Sequence, residues 1–88
     1  MKIEKVFGRL LGELRKERGL SQEELGFESG YHRTYISFLE RGIKCPSLNT
    51  VFKLTAALKI SPSEMIRRVE TRLQTAADGY QPGRRNTR

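Results

Sequence analysis

Between Gln22 and Arg41 the chain reads Gln-Glu-Glu-Leu-Gly-Phe-Glu-Ser-Gly-Tyr-His-Arg-Thr-Tyr-Ile-Ser-Phe-Leu-Glu-Arg. Two short helical patterns are broken at Gly30, and the second carries polar and basic side chains along one face. A helix pair of this kind can bury one side and offer the other to DNA. The chemistry it suits is recognition, not bond-making.

Other chemistries find little footing. Glu23, Glu24 and Glu28 form an acidic cluster, which helix capping and a solvated face explain without metal or acid–base work. His32 stands without Cys or His at ligand spacing, so no metal site is expected. The lone Cys45 can form no intramolecular disulfide and reads as a reduced loop thiol. There is no nucleophile–base pair, phosphate-cradling glycine loop or carboxylate–histidine cluster. The expectation is therefore not an enzyme, with no cofactor and no small-molecule ligand.

The elements that must position this face follow from periodicity and caps. Val6, Phe7, Leu10, Leu11 and Leu14 recur at helical spacing and predict a first helix over about 3–18. Gly8 and Gly12 weaken it locally, and Gly19 is its expected C-terminal cap. Ser21-Gln-Glu-Glu24 is a capping box opening a second helix over 22–29, and Gly30 supplies the turn. A third helix is expected over 32–41. Ser47 caps a fourth over 48–58, whose buried face is Leu48, Val51, Leu54, Thr55 and Leu58. Ser61-Pro62-Ser63-Glu64 is a second capping box, starting a fifth helix that extends to about Ala76. Residues 1–76 thus form one all-α domain of five helices, and 77–88 read as a basic, disordered tail.

Eighty-eight residues suit one small core. With 36% hydrophobic and 31% charged residues, a globular class is favoured over disorder. No apolar run approaches the roughly 20 residues of a membrane span, and no signal-peptide pattern is present, so the cytoplasm is the expected location. The net charge is +7. Residues 1–65 contribute 11 Lys/Arg against 8 Asp/Glu, while 66–88 contribute 6 Arg against Glu70 and Asp78. A basic balance in a short chain favours a polyanionic partner. The tail is either an arm on DNA or a solubilising end.

Counted from Gln22, a helix-turn-helix unit of about 20 residues emerges. Leu25 and Gly26 fall fourth and fifth, Gly30 ninth, Ile36 fifteenth and Leu39 eighteenth. The fifth must be small where the helices cross, the ninth turns the chain, and the apolar three fix the crossing angle. These residues, with Leu14-Arg-Lys-Glu-Arg-Gly-Leu-Ser21, Leu39-Glu-Arg-Gly42, Pro46-Ser-Leu48 and Leu54-Thr-Ala-Ala-Leu58, resemble the lambda-repressor-like helix-turn-helix family of the Xre type. The likeness runs from about Phe7 to Ile66. Within the family, Arg33-Thr-Tyr-Ile-Ser37 followed by Leu-Glu-Arg-Gly is most similar to restriction–modification controller proteins.

The resemblance implies a homodimer that binds a pseudo-palindromic DNA operator and regulates transcription, often of its own gene. It places Arg33 and Thr34 at base-reading positions, where an arginine can fork onto guanine O6 and N7. Gln22 matches a residue that grips a phosphate and braces the recognition helix. Tyr35 and Ser37 match positions that touch phosphate or the sugar edge, and Lys44 matches a basic loop residue that reaches backbone or base. Arg41 is expected on the backbone, and Arg15 and Glu40 match a structural ion pair. Phe38 departs from the family's Gly or polar residue; it either packs on a thymine methyl as a base reader or covers a neighbouring helix or partner chain. His32 stands where controller proteins often carry Asp, which alters local charge. Met65, Ile66, Val69 and Leu73 exceed what one small core needs and suggest a dimer contact through the fifth helix. The alternative function is an antitoxin that sequesters a protein partner and autoregulates through the same motif.

Overall fold

Five helices in sequence, α1 (Ile3–Glu17), α2 (Gln22–Ser29), α3 (Arg33–Glu40), α4 (Leu48–Leu58) and α5 (Pro62–Thr75), make up the computed structural model. It describes residues 2–75, among which there is no strand. Ala76 and the expected tail of 77–88 lie outside the described residues.

The helix ends are set by the side chains and glycines at their boundaries. Arg18 caps α1 with an ordinary helical φ of −81°, and Gly19 turns left-handed at +71°. The amides of Gly19 and Leu20 then reach the carbonyls of Lys16 and Arg15 at 2.9 and 3.1 Å, a Schellman closure. Helix α1 therefore ends at Glu17. The Ser21 box is complete: Glu24 N–H donates to Ser21 Oγ at 3.0 Å, and Ser21 N–H donates to Glu24 Oε1 at 2.8 Å. The Ser61 box is only half made. Glu64 N–H donates to Ser61 Oγ at 3.1 Å, but the Glu64 carboxylate pairs with Arg67 and Arg68 one turn on. Those guanidiniums, first by the hydrogen bond from Arg68, hold the Glu64 carboxyl below its usual range.

Helix α4 closes on Lys59, the one non-glycine residue at positive φ (61°) among those described. Its Schellman bonds run from Lys59 N–H to Ala56 O and from Ile60 N–H to Thr55 O. A side chain in this region costs about 1–2 kcal/mol, partly offset by glycine's greater freedom when unfolded. Lys59→Gly should therefore raise stability by about 0.5–1 kcal/mol. The melting midpoint should rise by a few degrees; an unchanged or lower one contradicts the strain.

The core joins Val6, Phe7, Leu10, Leu11 and Leu14 of α1 with Leu25, Ile36 and Leu39 of the central pair. Val51, Leu54 and Leu58 of α4, and Met65, Val69 and Leu73 of α5, complete it. This corrects two expectations. Leu48 is exposed, because the first turn of α4 turns Thr50 inward and leaves Leu48 at the surface. Met65, Val69 and Leu73 are not surplus: α5 packs against α1 and α4 and buries them, leaving only Ile66 half-exposed. The far end of α5 is tied to α1 by Arg72 on Glu13, whose carboxyl that hydrogen bond pulls below its normal range.

Gly8 and Gly12 prove to be contact residues. A Cβ on Gly8 would collide with the carbonyl oxygens of Leu39 and Glu40, the last turn of α3. One on Gly12 would sit 3.3 Å from Glu40 Oε1. Gly26 is required for a related reason: its missing Cβ leaves room for the Tyr31 carbonyl as the chain enters α3.

Candidate nucleic-acid interface

Helix α3 is short, so its placement depends on what grips its two ends. At the front, His32 Nδ1 accepts the Thr34 N–H at 3.0 Å, making His32 the N-cap and starting the helix at Arg33. Sequence reasoning saw only a charge change at His32. The cap role was legible in principle, since an Asp there would accept the same bond. At the back, Arg41 is the C-cap, outside the helix proper.

The inner face of α3 is closed by Ile36 and Leu39, both fully buried. The Glu40 carboxylate fastens its last turn. Arg15 Nε donates to Glu40 Oε2 at 2.6 Å and its Nη2 to Oε1 at 3.0 Å, while its Nη1 donates to the Leu20 carbonyl at 2.8 Å. Gln22 Nε2 joins the same Oε1 at 3.0 Å. Both charged side chains are only 11% exposed, so the pair is largely shielded from water. The hydrogen bonds it donates to Glu40 push the Arg15 guanidinium further above its already high range. Helices α1, α2 and α3 are thus locked through one carboxylate.

The outer face follows from that lock. Residues 33, 37 and 41 succeed one another at four-residue spacing, with 34 and 38 beside them. Arg33, Thr34 and Arg41 are exposed, Ser37 and Phe38 half-buried. Together with Gln22 they line one polar notch of about 320 Å³. Arg41 lies over the Phe38 ring, 5.4 Å from its centroid, and Lys44 Nζ lies at 6.0 Å. Seven of the residues singled out in the sequence therefore meet here: Gln22, Arg33, Thr34, Ser37, Phe38, Arg41 and Lys44.

Tyr35 sits differently. It is half-buried, its ring 5.0 Å from that of Tyr31, with its hydroxyl 3.5 Å from Thr50 Oγ1. Tyr31 OH is closer to the same oxygen, at 2.9 Å, and Lys53 Nζ stands 5.6 Å over the Tyr31 ring. Tyr31, Thr50 and Lys53 were missed, because nothing local in the sequence brings α4 against the turn. Ile66, the one exposed member of the expected dimer set, and Leu48 line two adjoining grooves, one with Phe52 and the other with Ile3, Phe7 and Pro46. Ile3, Leu48, Phe52 and Ile66 are each about half-exposed or more.

No group of three His, Cys, Asp or Glu among the described residues is placed to hold a metal, and none of their helices is long and apolar enough to cross a membrane.

A second helix fixed at a set angle, with a polar and basic outer face, defines a helix-turn-helix DNA-binding module. The comparisons agree. The model of the helix-turn-helix family matches residues 11–65. The control protein C.BamHI of Bacillus amyloliquefaciens is 38% identical over 65 residues, covering 73% of this chain and 80% of its own length. The crystal structure of the restriction–modification controller protein C.AhdI from Aeromonas hydrophila superposes with a TM-score of 0.69 at 47% identity, over 70% of this chain and 94% of that one. SinR, a master regulator for biofilm formation solved in complex with DNA, gives 0.65 at 31% identity, over 68% and 97%. The chain belongs to the helix-turn-helix family of Xre, lambda-repressor-like type, a family of DNA-binding transcription regulators and not of enzymes.

Proposed function

We propose that the protein is a dimeric, sequence-specific transcription regulator that binds a pseudo-palindromic operator, including one near its own gene. The observation that carries this reading is the outer face of α3, which gathers Arg33, Thr34 and Ser37 with Arg41 at its end and is held by the Arg15–Glu40–Gln22 lock. Arg33 and Thr34, exposed in the first turn, read base edges. Gln22, Ser37, Arg41 and Lys44 hold the phosphate backbone on either side, with Tyr35 at the margin. Gln22 keeps one Nε2 hydrogen for a phosphate while the other is bound to Glu40. The names of two relatives, a control protein and a restriction–modification controller protein, support a regulatory role.

The dimer contact is assigned to the exposed apolar side chains of Ile3, Leu48, Phe52 and Ile66, which line two adjoining grooves where α5 meets α1 and α4. Large apolar side chains clustered at a surface favour burial against a partner. A two-fold dimer repeats the contact symmetrically and presents two copies of α3 to one side of the duplex. Ile66→Asp should convert the dimer to monomer in sedimentation while the helical circular dichroism stays intact. A variant that remains dimeric at the same concentration counts against this surface.

Selection from random duplexes tests the function. It should return two inverted half-sites whose centres lie about one helical turn, roughly 34 Å, apart. A footprint upstream of the protein's own gene should cover such a site. Recovery of no common sequence would contradict sequence-specific reading.

A further inference from the structure

Phe38 is an apolar ring on an otherwise hydrogen-bonding face. It lies one turn after Thr34 and shares the polar notch with Gln22, Arg33, Thr34, Ser37 and Arg41. The base edges in the major groove carry donors and acceptors, and their one apolar group is the C5-methyl of a pyrimidine. A phenyl ring against a donor or acceptor strips it of water and returns no hydrogen bond. Against a methyl group it excludes water from two apolar surfaces. The ring is also held: Arg41 and Lys44 stand 5.4 and 6.0 Å from its centroid. Cations so placed are attracted to the ring while their remaining N–H groups stay available for phosphate.

We propose that Phe38 reads a pyrimidine C5-methyl group, with Arg41 and Lys44 acting as positioning residues that steady the ring between backbone contacts. The inference rests on α3 being the base-reading helix. Thymine and 5-methylcytosine present the same methyl, so binding responds to that group on either pyrimidine. Methylation of a cytosine facing Phe38 then strengthens the complex.

The test uses the full chain and its selected operator. Each thymine is replaced singly by uracil, which removes only the methyl. Wild type should lose about fourfold in affinity at one position per half-site, the worth of one buried methyl-sized group. Phe38→Ala should bind the thymine and uracil duplexes equally, while Phe38→Leu, which keeps apolar bulk, should retain part of the preference. In a second arm, cytosine and 5-methylcytosine are compared at the same position. A gain of similar size in wild type, absent from Phe38→Ala, supports the reading of methylated cytosine; no gain overturns that part of the proposal. Indifference to uracil at every thymine overturns the proposal. So does an undiminished preference in Phe38→Ala. If no operator is selected, the DNA-reading role itself fails; an operator indifferent to uracil removes only the methyl contact.

Discussion

Glu40→Ala is expected to cost about 3–5 kcal/mol, the range for removing one partner of a buried ion pair. The substitution strips the acceptor from two Arg15 N–H groups and from Gln22 Nε2 at once. Arg15, with a side chain only 11% exposed, is then left charged and without its carboxylate. A domain of this size is stable by roughly 4–11 kcal/mol in total, so the loss is a large part of the whole. Urea unfolding should register it as a lower midpoint. The double variant Arg15→Met with Glu40→Leu should recover most of the stability, because apolar side chains of similar volume avoid the stranded charge. A double variant as unstable as Glu40→Ala would mean that the pair itself is strongly stabilising. A mild single variant would mean that water reaches the site. DNA affinity should fall in both variants, since Gln22 loses the partner that aims it.

The second large effect concerns Gly8. In an exposed helix, glycine to alanine stabilises by about 1 kcal/mol. Here the sign should reverse. The added Cβ meets the carbonyls of Leu39 and Glu40, which are backbone atoms at the end of α3 and cannot rotate away. Helices α1 and α3 must separate, and overpacking of this kind costs about 1–3 kcal/mol or more. Gly12→Ala is the control, because its Cβ meets the end of the Glu40 side chain at 3.3 Å, which can shift slightly. Gly8→Ala should therefore fall well below both wild type and Gly12→Ala in stability. Stabilisation by Gly8→Ala would refute the close approach of α1 to α3.

These two predictions mark where the sequence was legible and where it was not. The bounds of α2 and α4 were readable because their signals are local: a serine cap three residues ahead of the amide it accepts, and a glycine or loop at the far end. The helix-turn-helix spacing is local too, so Leu25, Gly26, Gly30, Ile36 and Leu39 could be assigned tasks from their order alone. Gly8 was read as a weakness in a helix, because its partner carbonyl lies 31 residues further on and no periodicity reveals it. Met65, Val69 and Leu73 were counted as excess for the same reason. Their stripe was correctly apolar, but which surface it met depended on how α5 folds back onto α1 and α4. Ile66, adjacent to Met65 in sequence, points outward with Leu48 and Phe52, and helical geometry alone could not separate a core stripe from an interface stripe. His32 carried its signal in its position immediately before the helix, a cap site occupied by an unusual acceptor.

The central claim is that the outer face of α3 reads sequence, with Arg33 as its main base-reading side chain. The most direct measurement is the affinity of wild type and Arg33→Ala for the selected operator, for operators changed at each base pair, and for random duplex, all at one salt concentration. Arg33→Ala should lose about 1–3 kcal/mol on the operator, become indifferent to base identity at one or two pairs per half-site, and keep nearly all of its random-duplex affinity. An equal loss on operator and random DNA, with base preferences intact, would make Arg33 a phosphate contact and contradict the account.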